Sequence, residues 1–245
     1  MQRSDTVLKQ VMAAFERESH LKLHNHPIHM SFDGDTLTVA GEVPDVACKK
    51  RLLQLTHHHS EGKRLIDQLR ITADPPIGDG ELRTRICERL AQAVDFRNCV
   101  ICARVKGQLE VVRGTMDQVG NDGSGVIQVS VEDGVVTLTG QVISLSHRRL
   151  ASVTAWWVGG CRDVINALEL VPAEADGDDE ISEALHLVLE TDLRVRAEQI
   201  TINVENQRIT LAGWVATEAE RRLAEQDAWC LEEIEGVVNH IQVRA

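Results

Sequence analysis

One pattern is written three times along the chain, in three blocks of equal length that align without a gap. The blocks cover residues 28–72, 127–171 and 200–244. Each contains a similar string: MSFDGDTLTVAGEV, VSVEDGVVTLTGQV and INVENQRITLAGWV. Self-similarity at a fixed spacing is the signature of repeated structural units, and a unit of this size buries only a thin core alone. The repeat therefore predicts several small domains of one fold, which gain stability by packing together.

Each block begins as a hairpin and continues as a helix. Apolar residues alternate along both arms of the hairpin, which is typical of half-buried strands. The predicted turns are Asp33-Gly34, Asp133-Gly134 and Asn206-Gln207. Helical spacing follows, a short strand ends the block, and another amphipathic helix precedes it. The predicted unit is αββαβ, a small mixed sheet with two helices on one face.

We therefore expect an α+β protein of three tandem domains. Turn-rich linkers at 73–80 and 173–180 place these domains at 1–74, 75–172 and 173–245. The middle domain also contains ICARVKGQLEVVRGTM at 101–116, which fits the hairpin template with Lys106-Gly107 at its turn. We predict an extra hairpin there, which extends the sheet of the middle domain or shields the edge of a neighbouring sheet.

Composition and charge exclude several classes of function. The net charge is −12 and aromatic residues make up 3% of the chain, so a nucleic-acid reader that stacks bases on aromatic rings is not expected. No P-loop, GxGxxG after a strand, GxSxG or HExxH motif occurs, so we predict neither an enzyme nor a cofactor.

The expected compartment is the cytoplasm. The stretch at residues 1–22 is typical of a polar amphipathic helix rather than a secretory signal, and no apolar run is long enough to cross a bilayer. The six cysteines are scattered, which favours reduced thiols over a disulfide framework. These features predict a soluble protein and make a periplasmic location less favoured.

The repeated pattern resembles the BON domain, named after bacterial osmotically inducible and nodulation proteins. The hairpin string, a helix carrying RRLA, and a final strand such as DVINALEL or VVNHIQV carry the resemblance. The third copy is the best match and the first is the most diverged. The resemblance implies the αββαβ fold and a non-catalytic binding role, usually of phospholipid or membrane surfaces, linked to envelope and osmotic stress. It implies no catalytic residues.

Three aligned basic pairs are the candidate ligand-binding residues. They share one position near the start of the second helix of each unit. The pairs are Lys49-Lys50, Arg148-Arg149 and Arg221-Arg222. Two cations at a helix N-terminus can hold an anionic headgroup such as a phosphate. The alternative is a solvated helix face, on which these cations pair with acidic residues such as Glu218 and Glu225.

The aligned glycines are predicted to be structural. Gly41, Gly140 and Gly213 share one position at the end of the hairpin, and Gly114 matches it in the extra hairpin. Each lies where the chain must turn over the helices, so a close backbone approach is expected there.

Histidines, cysteines and tryptophans receive ordinary structural interpretations. The first repeat carries His20, His24, His26, His29, His57, His58 and His59, without ligand spacing, so no metal site is predicted. Cys99 and Cys102 form a lone CxxC and are interpreted as half-buried thiols. Trp156, Trp157, Trp214 and Trp229 are expected in the core or between domains, with membrane contact as the alternative.

Two hypotheses of function remain open. In the first, the domains recognise phospholipid or another anionic envelope ligand during stress adaptation. In the second, the repeats form a scaffold that offers sheet surfaces to another protein. A cytoplasmic ion or metal sensor ranks below both. Exposed apolar residues beside the basic pairs would favour the first hypothesis, whereas an exposed sheet edge, above all that of the extra hairpin, would favour the second.

Overall fold

The computed structural model describes residues 2–17, 26–60, 62–73, 75–119, 125–173 and 176–244. The chain divides into two compact units, residues 1–72 and 73–245. The first unit contains the first repeat, and the second unit contains the other two. The expected mixed α+β class is confirmed, because the described residues form three small mixed sheets and six α-helices. The predicted boundaries of three separate domains, 1–74, 75–172 and 173–245, stay a prediction.

The first unit is one αββαβ repeat. Its elements are α1 (Gln2–Arg17), β1 (Ile28–Asp33), β2 (Thr36–Val43), α2 (Val46–His59) and β3 (Arg64–Ile71). The sheet order is β1-β2-β3, with β1 antiparallel and β3 parallel to β2. Apolar residues of α1, such as Val11 and Phe15, pack with Leu37, Val39 and Leu52 in one core. This core buries one stripe of each helix and one face of the sheet.

The middle repeat opens the second unit and carries the extra hairpin. Its elements are α3 (Asp79–Gln92), β4 (Val100–Val105), β5 (Gln108–Arg113), β6 (Val126–Glu132), β7 (Val135–Val142), α4 (Leu145–Trp156) and β8 (Asp163–Leu170). The sheet order is β5-β4-β6-β7-β8. Strand β4 pairs with β6 in parallel and with β5 in antiparallel fashion. The predicted hairpin at 101–116 is therefore confirmed, and it extends the sheet of the middle repeat.

The third repeat completes the second unit. Its elements are α5 (Asp178–Thr191), β9 (Ile200–Glu205), β10 (Arg208–Val215), α6 (Glu218–Cys230), β11 (Gly236–Asn239) and β12 (Gln242–Val243). Strand β10 pairs with β9 in antiparallel fashion and with both β11 and β12 in parallel. The last strand of the repeat is interrupted between β11 and β12, although both parts keep one register against β10.

Aligned polar residues start the second helix of every repeat. The side chain of Asp45 accepts a hydrogen bond from the amide of Cys48 at 2.8 Å, and Ser144 and Thr217 cap α4 and α6 in the same way. Such caps satisfy amide groups that have no partner within the helix. The cap therefore fixes the point at which the chain leaves the hairpin and turns over the sheet.

One hairpin turn differs from the prediction. In the first repeat the turn residues are Gly34 and Asp35, one residue later than expected, because Asp33 still pairs with Thr36 at the end of β1. Asp178 is the first residue of α5, and its carboxylate accepts hydrogen bonds at 2.7 Å from the amides of Asn206 and Gln207, which form the turn of the third hairpin.

An aspartate at the start of a helix binds the hairpin turn of the middle repeat in the same way. Asp79, the first residue of α3, accepts hydrogen bonds at 2.9 Å from the amides of Asp133 and Gly134. Asp133 and Asn206 both have positive φ, so these carboxylates bind turns that non-glycine residues adopt at a cost. The first helix of each of these repeats is thereby tied to its hairpin.

The aligned glycines lie near the end of the second strand of each hairpin, and each pairs with a residue at the start of the first strand. A Cβ atom at Gly140 would lie 2.1 Å from the carbonyl oxygen of Val126, and one at Gly213 would lie 2.1 Å from that of Gln199. Their φ angles are 119° and 123°. Gly41 has a similar conformation. A side chain at these positions would meet backbone and would also strain the φ angle.

We expect Gly140→Val and Gly213→Val to lower the free energy of unfolding of the second unit by about 2–3 kcal/mol each. Gly159→Ala is the matched control, because no heavy atom lies within 4 Å of its added Cβ and its φ is not positive. Urea denaturation of the full chain measures all three variants. Unchanged midpoints for both valine variants would show that the close backbone approach at these glycines does not contribute to the free energy of unfolding.

Candidate functional site

The first member of each basic pair lies beside an aligned residue of the last strand. The three contacts join Lys49 to Asp67, Arg148 to Asn166, and Arg221 to Asn239. In the second and third repeats, the asparagine side chain donates to the carbonyl oxygen of the arginine, at 2.9 and 3.1 Å. This contact ties the second helix to the last strand.

The first repeat makes the same connection with different chemistry. Asp67 has no N–H group to donate, so the ammonium of Lys49 supplies the donor at 2.8 Å and also reaches the carbonyl oxygen of Leu69. Lys49 is only 4% exposed. A buried ammonium requires such partners, so Lys49 serves the packing of its own repeat.

The second members of the pairs lie in three different environments. Arg149 is 1% exposed, and its Nη2 donates to both carboxylate oxygens of Asp176, at 2.7 and 2.8 Å. The side chain of Arg222 is 74% exposed and approaches Glu218 at 3.5 Å. Lys50 is half-buried. The structure therefore places equivalent cations in unequal positions, and it gathers Arg148 and Arg149 into a larger cluster.

That cluster lies between the middle and third repeats, and we call it the joint. Two neighbouring carboxylates of the third repeat enter it. Glu232 accepts hydrogen bonds from Ser152 at 3.1 Å and from Asn166 at 3.2 Å, and Arg148 lies 3.6 Å from it. Glu233 approaches Arg148 at 3.4 Å and Arg149 at 3.8 Å. The arginine pair of the middle repeat thus binds carboxylates of the third.

The acidic groups of the joint influence one another. A hydrogen bond with Asp176 raises the pKa of Glu233, with burial as a further cause. Burial alone would raise the pKa of Asp176, but hydrogen bonds with Glu233 and Arg149 hold it below its ordinary value. One carboxyl group of this pair therefore keeps its proton more readily than the other.

A second contact connects the middle and third repeats at the end of α4. The indole Nε1 of Trp157, at the end of α4, donates to Oδ1 of Asp227 on α6 at 2.7 Å. The guanidinium of Arg89 lies over the same indole ring, 5.2 Å from its centroid. Trp157 is half-buried, so the expectation of a domain contact fits its position. This hydrogen bond connects the two repeats through a carboxylate that is 2% exposed.

The other predicted site residues are spread through the fold. Cys99 and Cys102 are buried rather than half-buried, and burial raises the pKa of both thiols. His20 and His24 lie outside the described residues. Within the described residues, no group of three or more His, Cys, Asp or Glu side chains is placed to hold a metal ion. Trp214 is exposed, with Arg244 over its ring.

Among the described residues, the second strand of the extra hairpin exposes more large apolar side chains than any other strand. Eleven large apolar side chains are exposed among the described residues, and five of them lie around β5. They are Val94, Leu109, Val111, Val112 and Met116. In the described residues β5 pairs with β4 alone, so its outer edge is open. The exposed residues of the edge strands β1 and β9 are polar; they are His29, Ser31, Asp33, Thr201, Asn203 and Glu205.

Arg113, the last residue of β5, connects the hairpin to the rest of the middle repeat. Its guanidinium donates to the carbonyl oxygen of Ala91, in the last turn of α3, and to those of Phe96 and Cys99, in the segment that connects α3 to β4. A register shift between Ile101 and Cys102 accommodates the end of β5. The apolar edge is therefore anchored to the body of the second unit.

We expect Arg149→Ala to lower the free energy of unfolding of the second unit by about 2–3 kcal/mol, because the variant leaves Asp176 without its cation and opens a space in the joint. The aligned Arg222→Ala variant is the control and should change the free energy by less than about 0.5 kcal/mol. Urea denaturation gives both values. If both variants change the free energy of unfolding by the same small amount, the buried Arg149 does not stabilise the packing of the two repeats.

Comparisons with known proteins agree with the repeat structure. The BON domain model matches residues 101–172 and 177–245, and the BON-like domain model matches residues 30–73. The search of curated proteins returned no match. Among the residues that the structure describes, no helix combines the length and apolar character needed to cross a bilayer.

Two solved structures of a type III secretion system protein, CdsD of Chlamydia trachomatis, are similar to the chain. The first is 12% identical, covers 98% of this chain and 92% of its own, and has a TM-score of 0.23. The second, of the C-terminal domain, is 13% identical, covers 98% of each chain, and has a TM-score of 0.24. Scores this low carry no argument about function. The BON matches alone cover more than half of the chain, and the protein therefore belongs to the BON domain family.

Proposed function

We propose that the chain is a non-catalytic interaction protein whose second unit presents the edge of β5 to an extended segment of another protein. The observation that carries this proposal is the open apolar edge of the extra hairpin. BON family membership supports an interaction or envelope-associated role rather than an enzymatic one.

The geometry of β5 suits the addition of a further strand. Val105 and Gln108 flank a two-residue turn and pair directly, so they form a hydrogen-bonded pair. The alternation of antiparallel pairs then directs the backbone N–H and C=O groups of Leu109 and Val111 outward. A partner segment would bind these groups as a sixth strand, with main-chain hydrogen bonds for affinity and side chains for specificity.

The side chains of β5 support the same proposal. Natural edge strands are commonly protected by charged residues, by proline or by a covering element. Here Leu109, Val111 and Val112 are exposed, and Glu110 is the single charged residue between them. Burying this strand against a partner would remove apolar surface from water, which favours association.

Phospholipid or another anionic ligand of the envelope is the second candidate. The aligned basic pairs and the lipid association of the family suggest this candidate. The net charge of −12 opposes it, and burial of Lys49 and Arg149 leaves fewer cations able to reach a headgroup. Arg222 remains well exposed, so binding at this position stays a prediction of lower rank.

The test is site-specific photo-crosslinking of the full chain in cells. A photoreactive side chain at Leu109 should form an adduct with another protein, and the added substitution Val111→Lys should abolish that adduct. A photoreactive side chain at Thr201, on the polar edge of β9, is the matched control and should form none. Thermal midpoints within about 2 °C would show that each variant remains folded.

Absence of an adduct at Leu109, or equal adducts at Leu109 and Thr201, would contradict the proposal. Flotation with vesicles of anionic phospholipid then decides the alternative. Binding at low salt that is lost in a Lys50→Ala, Arg222→Ala double variant would favour recognition of a phospholipid headgroup by the basic pairs.

A further inference from the structure

We propose that the segment which binds β5 is acidic, with carboxylates at the end that lies beside the turn of the extra hairpin. This inference rests on the proposed function, because it names the chemistry of the partner for the same strand edge. It follows from the charges around that edge, which are opposite in sign to those of the rest of the chain.

The sequence around the extra hairpin is basic within an acidic protein. Residues 81–113, which include most of α3 and all of β4 and β5, contain seven Lys or Arg and four Asp or Glu, a net charge of +3. The whole chain carries −12, so the other residues together carry −15. An acidic segment is therefore repelled by most of the chain and attracted to this part of it.

Three cations lie around the end of β5 that adjoins the turn. They are Lys106 in the turn itself, Arg104 on β4 and Arg83 on α3. Lys106 and Arg104 are exposed, and Arg83 is half-buried. Within the described residues, no carboxylate lies at ion-pair distance from any of the three. A partner with carboxylates would thus meet cations that are not already neutralised.

Arg104 lies on the same face of the sheet as the apolar residues of the edge. It pairs with Leu109 across the hairpin, and Cys102 pairs with Val111. Directly paired residues, and residues two apart on a strand, share one face. Nη2 of Arg104 donates to Oε1 of Gln128 at 2.6 Å, so a neutral group holds the guanidinium and leaves its charge uncompensated.

Arg83 lies at the same end of the sheet. The carboxylate of Asp79, at the start of α3, binds the turn between β6 and β7. Strand β4 runs parallel to β6, so the turn of the extra hairpin lies at this end as well. Arg83 is one helical turn from Cys87, whose thiol approaches the carbonyl oxygen of Cys102 on β4 at 3.9 Å. Arg83 therefore belongs to the side of α3 that faces β4, the neighbour of β5.

The acidic residues near this end are engaged or distant. Asp79 binds backbone amides, and Glu81 pairs with Arg85. The acidic residues at 132–133 lie at the end of β6, which is two strands from β5. Glu110 is the single acidic residue of β5 and lies further from the turn than Gln108 and Leu109. The charge beside the turn is therefore positive.

A second copy of the chain is a less suitable occupant of the edge. Its β5 would bring the same cations, and the two chains would each carry −12. Like charges oppose such pairing both at the edge and over the whole molecule. The charges therefore favour an acidic segment of a different protein.

Selection from a displayed library of random ten-residue peptides tests the inference, with the full chain as the immobilised target. Among peptides whose binding is lost in the Val111→Lys variant, Asp and Glu should be about three times as frequent as Lys and Arg, or more. Peptides that depend on Val111 but show no excess of acidic residues would overturn the inference and leave the proposed function standing. If no selected peptide depends on Val111, the proposed function fails as well.

Neutral substitutions test whether these cations cause the preference. One selected acidic peptide, followed by fluorescence anisotropy, should bind the Arg104→Gln, Lys106→Gln double variant about fivefold more weakly. Arg64→Gln, Arg208→Gln is the matched control, because both side chains are exposed at the starts of other strands, and it should change the affinity by less than about twofold. Thermal midpoints within about 2 °C would show that both variants are folded.

Equal loss of affinity in the two double variants would contradict the inference, since overall charge rather than this edge would then attract the peptide. Salt supplies a test on the unaltered chain. The dissociation constant of the acidic peptide should rise with salt, whereas a counterpart with glutamine at each acidic position should show no such rise. The same response of both peptides to salt would also contradict the inference.

Discussion

The buried guanidinium of Arg149 is the contact on which the second unit depends. A charge that is 1% exposed is tolerated only with a partner, and its partner, Asp176, lies directly before the first helix of the third repeat. The neighbouring Arg148 binds Glu232 and Glu233, which lie in the loop between α6 and β11 of the same repeat. Adjacent residues of α4 therefore hold both the segment before α5 and the loop after α6, and the two repeats pack as one compact unit.

The aligned basic pair thus has a different structural role in each repeat. Lys49 stabilises its own repeat through Asp67, Arg148 and Arg149 bind the next repeat, and Arg222 lies exposed on the last helix. The position equivalent to Ser152 also changes role. In the third repeat it is Glu225, which accepts a hydrogen bond from Asn239 at 3.0 Å, so this repeat supplies internally the carboxylate that the middle repeat receives from Glu232. A polar, self-satisfied outer face is what a terminal repeat requires.

The parts of the fold that depend on local pattern could be predicted from the sequence. Alternation and turn residues located the hairpins, including the extra one, because these signals act over a few residues. The predicted turn of the first repeat was wrong by one residue. Gly34 indicates that a turn lies nearby, but it does not decide which two residues pair at the ends of the strands. The role of Asp178 was missed because a carboxylate at a helix start has two competing uses, capping its own helix or binding a distant turn.

The joint could not be predicted, because its partners are far apart in the chain and periodicity carries no information about them. One signal was present in the alignment: Glu232 stands where the other two repeats have Ser60 and Gly159. Charges that occur in one copy and not in the others indicate contacts that are unique to that copy. Burial of Arg149 likewise depends on the third repeat covering α4, which no property of the arginine pair itself reveals.

The most direct test of this account is native-state hydrogen exchange at increasing urea concentrations, followed in β8 of the middle repeat and β10 of the third. If the joint makes the two repeats one cooperative unit, amides of both strands will reach the same opening free energy and the same dependence on urea. If β10 opens at lower urea while β8 stays protected, the repeats are independent and the account is contradicted.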